Sequence, residues 1–168
     1  EITHEELDVG LILNSSSPLV SGNELGKYEF AEELPGGLED TFVPGRNALF
    51  LVLAANRAAE RGATVIVTGV GQEDFGGYYD CREPFITSME VALAEAFAGR
   101  SVWAAIATPL MSLNKRRTVL LAASLGGCME AMAFSHTCYD GTFPPCCQCH
   151  ACHLRARAFK EAGIVDPL

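Results

Sequence analysis

A chain of 168 residues and 18.0 kDa, 49% of them hydrophobic, is long enough to close one sizeable core and too short for two ordinary domains. No apolar run approaches the roughly 20 residues that span a bilayer, and the opening EITHEELDVG lacks the basic and apolar regions of a signal peptide, so a soluble, cytoplasmic protein without membrane contact is expected. A formal charge of -9 argues against direct contact with nucleic acid, which needs a field that neutralises phosphates. The charge is unevenly spread: residues 1 to 40 hold ten acids against Lys27, and residues 100 to 160 hold seven bases against Glu130 and Asp140, which leaves room for an anion site in the second half.

In chain order, ELDVGLIL (6 to 13) is short and apolar enough for a strand, and the polar, Pro- and Gly-punctuated stretch to Gly37 reads as a loop excursion. Pro44 opens the apolar run RNALFLVLAANRAAERG, a buried helix that stops at Gly62. ATVIVTGV (63 to 70) is β-branched and reads as a core strand of a parallel sheet, followed by the loop GQEDFGGYYDCREP. Phe85, Met89, Leu93 and Phe97 recur at helical spacing and form a core stripe closed by Gly99. SVWAAIA (101 to 107) predicts a second strand broken at Thr108-Pro109, and Ser112 is placed to cap a helix running to Gly126-Gly127. The apolar piece CMEAMAFSH precedes a cysteine cluster, and HLRARAFKEAG predicts a last short helix. Alternating units of this kind predict one α/β domain over 1–168, a mostly parallel sheet flanked by helices, with ligands at the carboxyl ends of the strands after Val70 and Ala107.

Seven cysteines, an odd number with no mark of secretion, fit metal ligation better than disulfides, because five crowd into positions 138 to 152. The spacing C-x7-C-x2-C-x2-C offers Cys138, Cys146, Cys149 and Cys152 as the ligands of a tetrahedral structural zinc. His150 or His153 can replace one thiolate, and an iron–sulfur cluster is the rival occupant. Four protein ligands leave no open position for water, so such a metal holds the loop together and activates no nucleophile.

The tracts DTFVPGRN (40 to 47), VTGVGQEDFGGYYDCR (67 to 82) and TPLMSLNK (108 to 115) place polar, charged and glycine residues beside core elements, as a ligand-facing rim does. Together with TCYDG (137 to 141) and CCQCHACHLR (146 to 155), in this order and spacing over about residues 6 to 160, they closely resemble the 7-cyano-7-deazaguanine synthase family of queuosine biosynthesis. The resemblance implies an adenine nucleotide alpha hydrolase-like fold with a C-terminal zinc-binding lobe. It also implies an ATP-dependent carbon–nitrogen ligase that converts 7-carboxy-7-deazaguanine and ammonia to the cyano compound with ATP, magnesium and a structural zinc, working as a homodimer. The family pattern has cysteines at Cys138, Cys146, Cys149 and Cys152 and leaves Cys147 outside the ligand set.

On that resemblance, Arg46 is a candidate to hold a phosphate or carboxylate and Asn47 to fix a base edge, although Arg46 at a helix start also suits a loop brace. Gly69 and Gly71 permit close approach of backbone to a ligand or simply turn the chain. Asp74, Tyr78, Asp80 and Arg82 offer acceptors, a stacking face and a cation, or brace one another, and Lys115 offsets phosphate charge unless it belongs to a solvated basic face with Arg116 and Arg117. The family's S-G-G-x-D-S phosphate loop is not found in these residues, NSSSPLVSG being no substitute, so no catalytic residue is assigned. The reading is therefore the C-terminal part of such a synthase with its first βαβ region missing; the alternative is a shortened, non-catalytic paralogue that keeps the zinc and deazapurine surfaces. Tyr79 stands where the family usually has Pro, Cys147 where Gly is usual, and Arg117 where an acid often follows the lysine.

Overall fold

A computed structural model describes residues 3–35, 40–72, 78–99 and 105–168. Its helices and strands, in chain order, are α1 (Pro18–Ser21), α2 (Arg46–Arg61), β1 (Val65–Val67), α3 (Glu83–Ala96), β2 (Ala105–Ala107), α4 (Lys115–Ser124), α5 (Cys128–Met132) and α6 (His150–Ala162). Single 3-10 turns at Ala31–Glu33 and Tyr79–Cys81 punctuate the loops. The chain has the α/β architecture expected of it, with a four-cysteine cluster at its C-terminal end.

β1 and β2 pair in parallel with Ile66 opposite Ile106, and both isoleucines turn inward to the same core. α2 contributes Leu51, Ala55 and Ala58 to that core, positions four and three residues apart on one helical face, and α3 contributes Ile86 and Leu93. Phe85, Met89 and Phe97 flank the same core half-buried, so the stripe predicted for α3 is present with Ile86 added to it. α2 ends where Gly62 takes the left-handed conformation, φ 64°, which a Cβ would disfavour.

The opposite face of the sheet is bare among the described residues, with Val65 51% and Val67 67% exposed. The edges differ. Along β2, the outward-pointing N–H of Ile106 donates to Glu90 Oε1 on α3 at 2.9 Å, whereas β1 has no such cover among the bonds described.

A second core joins α4 to α6 through Val119, Ala158 and Phe159, with Met129 and Met132 alongside. The tail is fixed to it by Arg155, whose Nε and Nη2 donate to the two carboxylate oxygens of Asp166, each at 2.7 Å. Its Nη1 donates to Ser135 Oγ at 2.7 Å, and Nη2 also donates to the Met132 carbonyl at 3.2 Å.

Four sequence expectations are corrected. Residues 6 to 13 form no strand: the Val9 carbonyl accepts from Ile12 and Leu13, so the segment folds on itself at Gly10 and leaves Leu7, Leu11 and Ile12 exposed. Ser112 does not cap α4, because it lies inside the turn that Leu113 N–H closes onto the Leu110 carbonyl; the cap is Asn114, whose Oδ1 accepts from Arg117 N–H at 2.8 Å. That helix stops at Ser124, before Gly126, and α6 begins at His150 rather than at His153 because Cys149, extended at ψ 159°, ends the metal loop and starts the helix.

Candidate functional site

Three of the helices begin at one place. The first residues of α2, α4 and α6 are Arg46, Lys115 and His150, and all three line a cavity of about 680 Å³ beside the end of β1, where Thr68, Gly69 and Val70 form its floor. Each helix N-terminus carries a partial positive charge and outward N–H groups. Arg46, Lys115 and Arg155 add full charges, and no Asp or Glu is among the lining residues described. In a protein of formal charge -9, this cavity gathers Arg46, Lys115 and three helix starts, with Arg155 held by Asp166 in its far wall, which suits an anion such as a carboxylate or phosphate.

Of the residues singled out from the sequence, Arg46, Asn47, Gly69, Tyr78 and Lys115 line this cavity. Asp74 lies outside the described residues. Asp80 does not line it: its buried carboxylate accepts the Asn47 backbone N–H at 3.3 Å, so it caps the start of α2. Asn47 returns the contact, its Nδ2 donating to the Asp80 carbonyl at 3.2 Å and to Cys81 Sγ at 3.3 Å, which fixes the Tyr79–Cys81 turn against the helix. Arg82 is not a lining residue either, and its guanidinium sits 4.5 Å from the centre of the Tyr79 ring. Tyr78 is tied to Thr41 by a hydroxyl–hydroxyl hydrogen bond of 2.5 Å and stacks obliquely on Phe42.

The sequence reading missed the far wall. Ala151, Leu154, Arg155 and Ala158 of α6 face the cavity at spacings of three, one and three residues, a helical stripe present in HACHLRARA. Ser135, His136 and Thr137 complete that side on the approach to the metal loop.

The four cysteines predicted as ligands meet, with their sulfurs all within 4.8 Å of one another. A tetrahedron with Zn–S bonds of about 2.3 Å places its sulfurs roughly 3.8 Å apart, so a small contraction of this cluster accommodates the ion. Cys149 Sγ and Cys152 Sγ are already at 3.5 Å. Backbone N–H groups point at the sulfurs: Cys146 onto Cys138, Gln148 and Cys149 onto Cys146, and Tyr139 onto Cys149, at 3.3 to 3.4 Å. Burial pushes the Cys138 thiol up, but the Cys146 N–H and the Thr142 hydroxyl outweigh it and bring its pKa to about 6. Burial pushes the Cys146 and Cys152 thiols up, the direction a bound cation would reverse. The donor set is soft, enclosed and complete, as a structural zinc requires. Cys138 also lines the cavity, so the metal loop and the cavity share a wall.

Cys147 stands apart. It is exposed, its thiol bonds to the Pro145 carbonyl, and its backbone is left-handed at φ 59°. A side chain there costs roughly 1 kcal/mol, which gives a physical reason for glycine at this point of the resembling pattern. Cys147→Gly is expected to raise stability by about 1 kcal/mol with zinc content unchanged, read by thermal melting and metal analysis.

Comparison with known proteins shows the family. The family model described as "Queuosine biosynthesis protein QueC" matches residues 1–163. A protein of Gloeobacter violaceus named 7-cyano-7-deazaguanine synthase is 51% identical over 167 residues, covering 98% of this chain and 71% of the relative. Proteins of the same name from Chromobacterium violaceum and Laribacter hongkongensis are 48% and 53% identical, covering 89% and 78% of this chain. The chain spans 64% and 56% of those two relatives. With the four cysteines gathered, the α/β core in place and nearly the whole length matched, the chain belongs to the family of queuosine biosynthesis protein QueC.

Proposed function

We propose that this chain forms the base pocket and metal lobe of a synthase that makes 7-cyano-7-deazaguanine, a queuosine precursor, from 7-carboxy-7-deazaguanine and ammonia with ATP and magnesium. The observation that carries the reading is the cavity where three helix N-termini converge with Arg46 and Lys115. Its volume of about 680 Å³ falls within the range of small-ligand sites and suits a planar bicyclic base bearing a carboxylate.

The chemistry asks for such a place. A carboxylate is a poor electrophile until one oxygen becomes a leaving group, which ATP supplies by adenylation. Ammonia then gives an amide, and a second activation of the amide oxygen permits elimination to the nitrile. Throughout, negative charge builds near the carboxyl carbon and the phosphates, where fixed cations and N–H donors lower its energy. Arg46 fits the carboxylate or phosphate, Asn47 and Tyr78 the base, and Lys115 the phosphate charge; Gly69 lets the ligand approach the strand end. Zinc held by Cys138, Cys146, Cys149 and Cys152 supplies a structural cross-link. On this reading the protein works in the cytoplasm as a homodimer without touching nucleic acid. No described helix is long and apolar enough to cross a membrane.

Calorimetric titration of 7-carboxy-7-deazaguanine into the chain tests the proposal. Saturable heat is expected for the wild type, weakened about tenfold in Arg46→Ala, the scale of one charge-assisted hydrogen bond. Absence of heat with the wild type overturns the pocket assignment, and ATP titrated separately reports on the nucleotide.

A further inference from the structure

Residues 22 to 30 have no helix or strand of their own, yet the chain there is held at one point from two sides. Tyr28 donates its backbone N–H to the Gln148 carbonyl at 2.9 Å, and its carbonyl meets His153 Nε2 at 3.0 Å. A carbonyl only accepts, so His153 carries a proton on Nε2. Beside this clasp, Lys27 Nζ reaches Asp140 Oδ2 at 3.2 Å, and the Ala31–Glu33 turn packs on α6. Leu25, Gly26 and Tyr28 close over Tyr139, Cys149 and His150, leaving a cavity of about 20 Å³, room for one water.

Every anchor on the other side is a neighbour of a metal ligand. Gln148 lies between Cys146 and Cys149, His153 follows Cys152, and Asp140 stands two residues after Cys138. Four thiolates around one divalent cation leave a net negative charge, and Lys27 brings a cation to it from the loop. The direction in which these anchors point is therefore set by the same backbone that aims N–H groups at the sulfurs.

We propose that metal loading of the four-cysteine centre and seating of the loop 24–33 upon it are one coupled event, with the Tyr28 backbone, held between Gln148 and His153, as the clasp. This rests on the zinc reading above. Coupling is reciprocal: what seats the loop retains the metal, and what retains the metal seats the loop. The acidic first quarter of the chain is thereby tied to the C-terminal lobe across more than a hundred residues of sequence.

Zinc content of the full chain is measured first; a chain that takes up no zinc overturns the metal reading and the coupling with it. Hydrogen–deuterium exchange then compares the zinc-loaded chain with the same chain stripped by a chelator and kept reduced. Peptides covering 24–33 are expected to lose protection on stripping while those of α2 keep theirs, and unchanged exchange at 24–33 overturns the proposal. Because stripping also loosens the metal lobe, Tyr28→Pro supplies a second arm: it removes the clasp N–H and leaves all four thiolates and His153 in place. One equivalent of zinc is expected to remain bound but to pass to a chromogenic chelator roughly three- to tenfold faster, the scale of one lost backbone hydrogen bond. A wild-type transfer rate in this variant overturns the coupling while leaving the zinc assignment intact.

Discussion

Cys149→Ala is expected to reduce bound zinc from about one equivalent to near zero and to unfold the C-terminal lobe. Cys149 is 1% exposed, receives the Tyr139 N–H at 3.4 Å, and begins α6, so its sulfur links the loop from 138 to the helix that walls the cavity. Structural zinc sites supply apparent binding free energies of about 10–16 kcal/mol, and a buried site missing one of four thiolates forfeits much of that stabilisation. Metal analysis after dialysis reads the loss directly, and far-ultraviolet circular dichroism reads the fraying of α6. Retention of a full equivalent in Cys149→Ala would mean that another group, His150 or His153, completes the tetrahedron.

The second large effect is expected at the tail. Asp166→Asn should lower stability by about 2–3 kcal/mol, the scale of hydrogen bonds to a charged group, and the melting temperature by roughly 5–10 °C for a chain of this size. The Arg155 side chain is only 9% exposed, and four of its five N–H groups are engaged, two by Asp166. Removing the carboxylate leaves a largely buried guanidinium without its counter-charge. Burial pushes the Asp166 carboxyl up, but the Arg155 hydrogen bonds and the Leu168 N–H outweigh it and hold the pKa below its ordinary 3.8. A depressed folded pKa contributes stability that is fully present above the unfolded value and is lost as pH falls through the folded one. The melting gap between wild type and Asp166→Asn should therefore be constant from pH 8 to pH 5 and close below about pH 4. The gap, rather than either melting temperature, isolates the pair, since acid protonates the four thiolates in both proteins. A gap that persists undiminished at pH 3 would assign the loss to packing.

These two expectations differ in how far the sequence foretold them. The ligands were legible because C-x2-C knuckles constrain the backbone locally: four sulfurs within fifteen residues converge whatever the rest of the fold does. α2 and α3 were legible for a related reason, since an apolar face at helical spacing reports its own burial. Arg155 and Asp166 meet only after α6 has formed and the tail has turned at Gly163, and neither residue type signals that in isolation. Asp80 shows the same limit: in a loop it reads as a ligand acceptor, and only the position of α2 reveals a helix to cap. Ser112 and Asn114 are both good capping residues two apart, so local chemistry left the start of α4 undecided until the Leu110–Leu113 turn placed Ser112 outside the helix. At residues 6 to 13 the apolar pattern suited a strand, but a strand is defined by its partner, and Gly10 turned the segment back instead.

The carboxylate of Glu90 on the Ile106 N–H gives the sheet a direction of growth. In this two-stranded parallel ladder, Ala105 and Ala107 face β1 and Ile106 faces away, so Glu90 stoppers the outward donor of β2. The outward groups of Val65 and Val67 carry no comparable stopper among the bonds described, and their side chains stand exposed on the bare face. Among the described residues, then, a further strand would meet an occupied donor alongside β2 and open backbone groups alongside β1. A hollow of about 160 Å³ lined by Phe50, Leu51, Ala54, Ile66 and Val67 lies beside the β1 edge. Extension from that side alone leaves the β2 flank, and the α3 helix that guards it, undisturbed.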